Sequence, residues 1–209
     1  MIEYVVEHNP DDRVLQKASQ ILRNGGLLCF PTETNWVVVA DPYNKQGVDK
    51  LYRLRHVDNT KHFTVLCESF QKAQEVSHID DAAFRLLKKL IPGSYTFIFE
   101  AQKKITKFLK ASKSDKEVGI RFPPVALCRR LLEVHGDVVI SSHLTPEMLE
   151  VEEDGMPLYG ILIEEYFGSK IDLVLDPGAY EFIGNSTTII DFTNGAPELV
   201  REGAGKIPF

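Results

Sequence analysis

The chain has 209 residues, 44% of them hydrophobic and 26% charged, the balance of an ordinary soluble globular protein long enough to bury a sizeable core. A formal net charge of −6 excludes a uniformly basic nucleic-acid binder, although local basic patches remain compatible with it. No apolar run approaches the roughly 20 residues of a membrane span, and Met1-Ile2-Glu3-Tyr4 lacks the basic-then-apolar order of a signal peptide, so a cytoplasmic protein with no membrane partner is expected.

Ile2 to Val6 reads as a short first strand. Asn9-Pro10-Asp11-Asp12 opens a helix with early negative charge, and Val14, Leu15, Ala18, Ile21 and Leu22 give it one apolar face. Asn24-Gly25-Gly26 ends it, because glycine takes the left-handed cap. The apolar run Gly26 to Phe30 predicts a buried strand stopped by Pro31, which has no N–H for a ladder. Val37-Val38-Val39 predicts the next strand, closed by Asp41-Pro42. A second helix is marked by Val48, Leu51, Tyr52 and Leu54, a strand by Phe63 to Cys67, and a third helix by Ala82 to Leu90, halted at Pro92-Gly93. Tyr95 to Phe99 is rich in β-formers, and Val118 to Phe122 is a strand ended by Pro123-Pro124. Val125 to Leu132 is helical, Val138-Val139-Ile140 is a strand feeding Ser141-Ser142-His143, and Ile171 to Leu175 is a strand closed by Asp176-Pro177-Gly178. Thr187 to Asp191 and Glu198 to Arg201 form a final pair around Asn194-Gly195, a hairpin signal. Several strands lack a helix between them, which predicts a mixed α/β sheet in a single domain, 1–209.

Three cysteines, Cys29, Cys67 and Cys128, sit in apolar surroundings without metal-ligand spacing. They read as reduced, buried thiols, and no resident metal is expected. The lysines from Lys103 to Lys116 fall at near-helical spacing, the pattern of a solvated helix face. Lys50, Arg53, Arg55 and Lys61 make a second basic group.

The segment most suggestive of a ligand is Phe30-Pro31-Thr32-Glu33-Thr34-Asn35-Trp36. Two hydroxyls and a carboxylate leave a buried strand together, and none of them can be buried cheaply without a partner. Strand exits of open α/β sheets are where ligands sit. A polar turn is the competing reading, and Trp36 is expected to cover the core. Arg121 breaks an apolar strand, a position suited either to snorkelling or to bidentate capture of an anion. Ser141-Ser142-His143 invites a nucleophile-and-base reading, but neighbours on an extended chain face opposite ways and no Gly-x-Ser-x-Gly elbow is present. Gly184 to Thr188 could offer hydroxyls and N–H groups to an anion, or be a plain turn. Arg201-Glu202-Gly203-Ala204-Gly205 offers an arginine with two glycines, but neither nucleotide-binding glycine signature occurs.

Taken together, Pro31-Thr32-Glu33-Thr34, Leu51-Tyr52-Arg53-Leu54-Arg55, Leu90 to Phe97, Val118 to Pro123, Ser186 to Asp191 and Val200 to Gly203 resemble, in order and spacing, the YrdC-like family, whose members make threonylcarbamoyl-adenylate for tRNA modification. The resemblance implies a twisted open mixed α/β sheet with helices on its faces and a large concave basic cavity. It implies condensation of threonine, bicarbonate and ATP, with Mg2+ accompanying ATP as the substrate complex and no tightly bound cofactor. Carried over by position, Thr32, Thr34, Arg121, Ser142 and Ser186 would face threonine, with Arg121 clamping its carboxylate. Arg55, Lys61, His143, Thr145 and Arg201 would lie along ATP. The synthases' Lys-x-Arg reads Arg55-His56-Val57 here, their Ser-x-Asn becomes His143-Leu144-Thr145, and glycines after the threonine motif become Val37-Val38-Val39. These departures resemble the YciO branch of the family. They leave a second expectation beside the synthase: a nucleotide- or structured-RNA-binding relative without synthase activity. The second domain that some synthases carry is not expected.

Overall fold

Alternation along the strands assigns every side chain to one of two sheet faces, and that partition shapes the molecule. The computed structural model describes residues 1–55, 63–106, 116–144, 159–178 and 186–208. Among them, ten strands form one mixed sheet: β1 (Ile2–Tyr4), β2 (Leu28–Pro31), β3 (Trp36–Ala40), β4 (Thr64–Leu66), β5 (Tyr95–Glu100), β6 (Glu117–Arg121), β7 (Val139–His143), β8 (Leu173–Asp176), β9 (Thr188–Asp191) and β10 (Glu198–Arg201). Their spatial order is β1-β8-β2-β3-β7-β4-β6-β5-β9-β10. The pairs β1–β8, β2–β8, β4–β6 and β5–β9 are parallel, and β2–β3, β3–β7, β4–β7, β5–β6 and β9–β10 antiparallel.

Seven helices occur among the described residues: α1 (Asp12–Arg23), α2 (Lys45–Arg55), α3 (Phe70–Gln74), α4 (Asp81–Leu90), α5 (Lys103–Thr106), α6 (Ala126–His135) and α7 (Gly160–Phe167). The first begins where its sequence says it should, with the Asp11 carboxylate accepting from the Arg13 N–H. It stops before Gly25, at φ 77°. The fourth starts on Asp80, which caps the Ala83 N–H.

One sheet face carries Cys29, Trp36, Val38, Ala40, Val65, Phe97, Phe99, Val118, Ile120, Ile140, Val174 and Ile190, all in one continuous core with Val48 and Leu51 of α2 and Leu87 of α4. The opposite face is apolar only at one end. There Leu28, Phe30, Val37, Val39, Leu66, Val139, Leu173 and Leu175 pack beneath Leu15, Ala18 and Leu22 of α1 and Leu127, Cys128, Leu131 and Leu132 of α6. Trp36 is fully buried, as core cover. All three cysteines are buried free thiols.

The structure departs from the sequence reading in several places. The helices α3 and α7 were not anticipated, and of the lysine-rich helix face only α5 lies among the described residues; the shortest signals are local, such as Ser69 accepting from the Lys72 N–H at the start of α3. Ser141, Ser142 and His143 belong to β7 itself, because they pair with Val39, Val38 and Val37. Asn194-Gly195 lies within a longer connection between Asp191 and Glu198, which pair with each other in the β9–β10 ladder, and not in a two-residue turn. Most of the lysine run, 107–115, lies outside the described residues. No helix among the described residues is long and apolar enough to cross a membrane.

Candidate ligand site

The face that α1 and α6 cover at one end turns polar at the other. In β4 and β6, Thr64 lies opposite Gly119 and Leu66 opposite Arg121. In β7, Ser141 lies opposite Thr64, and His143, two residues on, shares its face. Gly119 faces Thr96 of β5: a Cβ added there would stand 3.3 Å from Thr96 Cγ2. Thr64, Gly119, Arg121, Ser141, His143 and Thr96 are therefore neighbours on one surface of the sheet, while Val65, Ile120, Ile140 and Phe97 fill the core behind them. A hollow opens on this surface, lined by Val37, Arg55, Thr64, Arg121, Ser141, Ser142 and His143.

The motif Thr32-Glu33-Thr34-Asn35 is the turn joining β2 to β3, for Pro31 pairs with Trp36. Thr32 closes it: its N–H and its hydroxyl each donate to the Asn35 carbonyl at 2.8 Å. Asn35 fixes the far side, donating its side-chain amide to the Leu144 carbonyl at 3.1 Å and accepting from the Trp36 N–H at 2.7 Å. A turn locked at both ends delivers Glu33 and Thr34 inward. Arg121 Nη2 donates to Glu33 Oε1 at 2.6 Å and stands 3.5 Å from Thr34 Oγ1. The pair is buried, its side chains exposed by 8% for Arg121 and 1% for Glu33. Removing one member of such a pair leaves an uncompensated buried charge, at about 3–5 kcal/mol.

Each residue singled out in the sequence has a place. Thr34 and Arg121 come together, and Thr32 stands two residues from Thr34 with its hydroxyl engaged in the turn. Ser142 borders the hollow, but its partner across the ladder is Val38, a core residue on the other face, and its hydroxyl donates to the His143 carbonyl at 3.4 Å. His143 is exposed and lines the hollow. Arg55, at the end of α2, lines it too, with its guanidinium 5.2 Å from the centre of the Phe63 ring. Half-burial draws the Arg55 pKa downward, partly offset by Tyr52. Ser186 and Arg201 sit further along the sheet. Thr96 Oγ1 and Thr187 Oγ1 are 2.7 Å apart, and Arg201 donates through Nε and Nη2 to the Thr187 carbonyl at 3.2 and 2.9 Å. The Ser186 carbonyl accepts from the Ala204 N–H. Lys61 and Thr145 lie outside the described residues. No group of three or more His, Cys, Asp or Glu suited to a metal occurs among the described residues.

Sequence reasoning passed over Thr64 and left Glu33 and Ser141 out of the residues assigned to a ligand. Ser141 was legible, since it must share the face of His143 two residues away. Glu33 was flagged as a buried carboxylate lacking a partner, and the partner is Arg121.

Comparison with known proteins agrees with this architecture. The sequence model of the Sua5/YciO/YrdC family, described as "Telomere recombination", matches residues 20–203. The chain belongs to that family. It is 30% identical over 208 residues to YciO of Escherichia coli (strain K12), covering 99% of this chain and 97% of that one. The crystal structure of E. coli YciO superposes with a TM-score of 0.84, at 28% identity, covering 100% of this chain and 98% of that one. Threonylcarbamoyl-AMP synthase of Coxiella burnetii (strain RSA 493 / Nine Mile phase I) is 25% identical over 166 residues, covering 78% of this chain and 84% of that one. The crystal structure of P. abyssi Sua5 complexed with L-threonine shares the fold, with a TM-score of 0.82 at 21% identity, covering 97% of this chain and 57% of that one.

Proposed function

We propose that the chain binds a small amino acid and a nucleotide on the polar half of its sheet face and joins them by the chemistry of its synthase relatives. Threonine's amine condenses with bicarbonate and releases water, the carbamate oxygen attacks the α-phosphate of ATP and displaces pyrophosphate, and threonylcarbamoyl-AMP is formed, with Mg2+ entering on ATP. The observation that carries this reading is the gathering of Arg55, Thr64, Arg121, Ser141 and His143 from three strands and a helix around one hollow. Phosphoryl-centred chemistry asks mainly for positioning and charge neutralisation, and cations and hydroxyls at a strand exit supply both. Arg121 would hold the amino acid, and Arg55 with Arg201 would flank the nucleotide.

Purified protein given ATP, L-threonine, bicarbonate and Mg2+ is expected to release pyrophosphate in a threonine-dependent way. Arg121→Ala should slow it by one to two decades, the worth of one charge-assisted contact at about 1.5–3 kcal/mol. Threonine-independent release that Arg121→Ala leaves untouched would overturn the reading. One observation favours a second reading, binding of a nucleotide or structured RNA without catalysis. The Arg55 cation lies against the Phe63 ring, where a synthase would carry a lysine. On that reading pyrophosphate is not released, and RNA affinity falls steeply with salt.

A further inference from the structure

Arg121 is not a vacant clamp, because the protein already supplies it with a carboxylate. An arginine and a carboxylate paired only for stability usually engage two donors and two acceptors in parallel. Here the contact between them is the single bond from Nη2 to Glu33 Oε1. Arg121 Nε and Glu33 Oε2 are both buried without a hydrogen-bond partner among the described residues. Each is costly to leave in that state, and the two flank one bond, so one group could satisfy both. Such a group must accept from Nε–H and donate to Oε2. The backbone that carries the carboxylate is held in place: Glu33 sits in a turn tied by Thr32 and Asn35, and its side chain is buried against Arg121.

The hollow reaches the pair through Arg121, which lines it. A ligand therefore meets the guanidinium first and the negative charge directly behind it. An acceptor-only anion gains from the first and is repelled by the second, while Oε2 stays unsatisfied. A ligand carrying an N–H or ammonium beside its carboxylate meets complementary charge at both atoms.

Resting on the amino-acid reading above, we propose that Glu33 is the specificity-determining residue of this site. It admits ligands that present a hydrogen-bond donor beside an acceptor, zwitterionic amino acids among them, and turns away anions that only accept. The same principle lets a buried acceptor reject an isostere lacking the donor it expects.

The test compares wild type with Glu33→Gln by calorimetry, using three probes: L-threonine; 3-hydroxybutyrate, which is threonine without its amine; and sulfate. Wild type is expected to favour L-threonine over 3-hydroxybutyrate by at least about tenfold, the worth of one charged hydrogen bond. In Glu33→Gln that preference should collapse, with L-threonine weakened and 3-hydroxybutyrate and sulfate each tightened by about tenfold. Equal weakening of all three probes would reduce Glu33 to a structural role and overturn the proposal. The sulfate arm separates the two readings. If wild type binds neither organic probe, the amino-acid reading fails, and a gain in sulfate affinity in Glu33→Gln still upholds charge exclusion by Glu33, whereas its absence ends it. Should Glu33→Gln not fold, Glu33→Asp keeps the charge and must bind sulfate no tighter than wild type; a gain there refutes the inference.

Discussion

Gly203 offers a severe test of how the chain's last residues are held. It follows β10 and lies against the start of β9. A Cβ added to it would stand 2.5 Å from the Thr187 carbonyl carbon and 2.6 Å from the carbonyl oxygens of Ser186 and Thr187. All three are backbone atoms, so no side-chain rotation relieves the overlap. Three hydrogen bonds depend on this close approach: Gly203 N–H to Thr188 Oγ1 at 3.0 Å, Ala204 N–H to the Ser186 carbonyl at 2.9 Å, and Thr188 Oγ1 to the Gly205 carbonyl. At about 0.5–1.5 kcal/mol each, their partial loss together with overpacking of about 1–3 kcal/mol predicts that Gly203→Ala costs about 2–3 kcal/mol. For a domain of this size that is a fall of about 4–12 °C in Tm. Gly136→Ala is the control. Gly136 sits at φ 74° with nothing within 4 Å of an added Cβ, so its alanine meets only the left-handed backbone penalty of about 1 kcal/mol. Thermal melts of the two variants beside wild type decide the matter. A Gly203→Ala protein melting within a degree of wild type, or above Gly136→Ala, would refute the packing argument.

Two further outcomes follow from buried titratable groups. His135, the last residue of α6, is buried against α1, with Ser19 Oγ 3.1 Å from Nδ1, Asp41 Oδ2 3.9 Å from Nε2 and Arg23 donating to its carbonyl. Burial lowers its pKa, Asp41 and Asp137 opposing and Arg23 assisting. The unfolded chain then binds the proton more readily, so stability is full above the unfolded value of about 6.5 and is lost as pH falls below it. Urea midpoints between pH 7.5 and 5.5 should show that decline, and His135→Gln should flatten it; an unchanged slope would exclude His135 as its source. The three cysteines should be silent in the native state. Burial pushes the Cys128 thiol up to about 12 and raises Cys29 and Cys67 as well, and a thiol is reactive only as thiolate. Dithionitrobenzoate at pH 8 should find no fast thiol in the folded protein and three in denaturant.

The fold was legible where one physical signal dominated. Runs such as Leu27 to Phe30 and Val37 to Val39 could only be buried strands, and Asp11 and Gly25 marked the ends of α1 through capping chemistry alone. The sheet's mixed character followed from strands with no helix between them. What escaped were α3, too brief to show a 3.6-residue period, and α7, which carries apolar residues on more than one side, with Ile161 and Tyr166 exposed and Ile163 and Phe167 buried. The two glycines after Arg201 were weighed as a nucleotide loop. Their geometry gives another reason for glycine: Gly203 lies on the Ser186–Thr187 backbone just before β9, and a Cβ at Gly205 would stand 2.5 Å from the Tyr95 ring.

The site was legible in its residue types and hidden in its pairing. Period-2 alternation tells which residues of one strand share a face, and it separates Ser141 and His143 from Ser142 without any structure. It says nothing about which strands become neighbours. That β4 lies between β7 and β6 brings Thr64 opposite Ser141 and Gly119 and to the same hollow as Arg121, while α1 and α6 cover the apolar end of the face. Once that end is covered, the remaining strands have no helix over their outer residues among the described residues, and threonine, serine, histidine, glycine and arginine occupy them in place of leucine and valine. The hollow is thus the uncovered remainder of a sheet face whose other half is core. The buried Glu33–Arg121 ion pair stands at its wall, which is why its substitution discriminates between a site that selects its ligand and a surface that is merely polar.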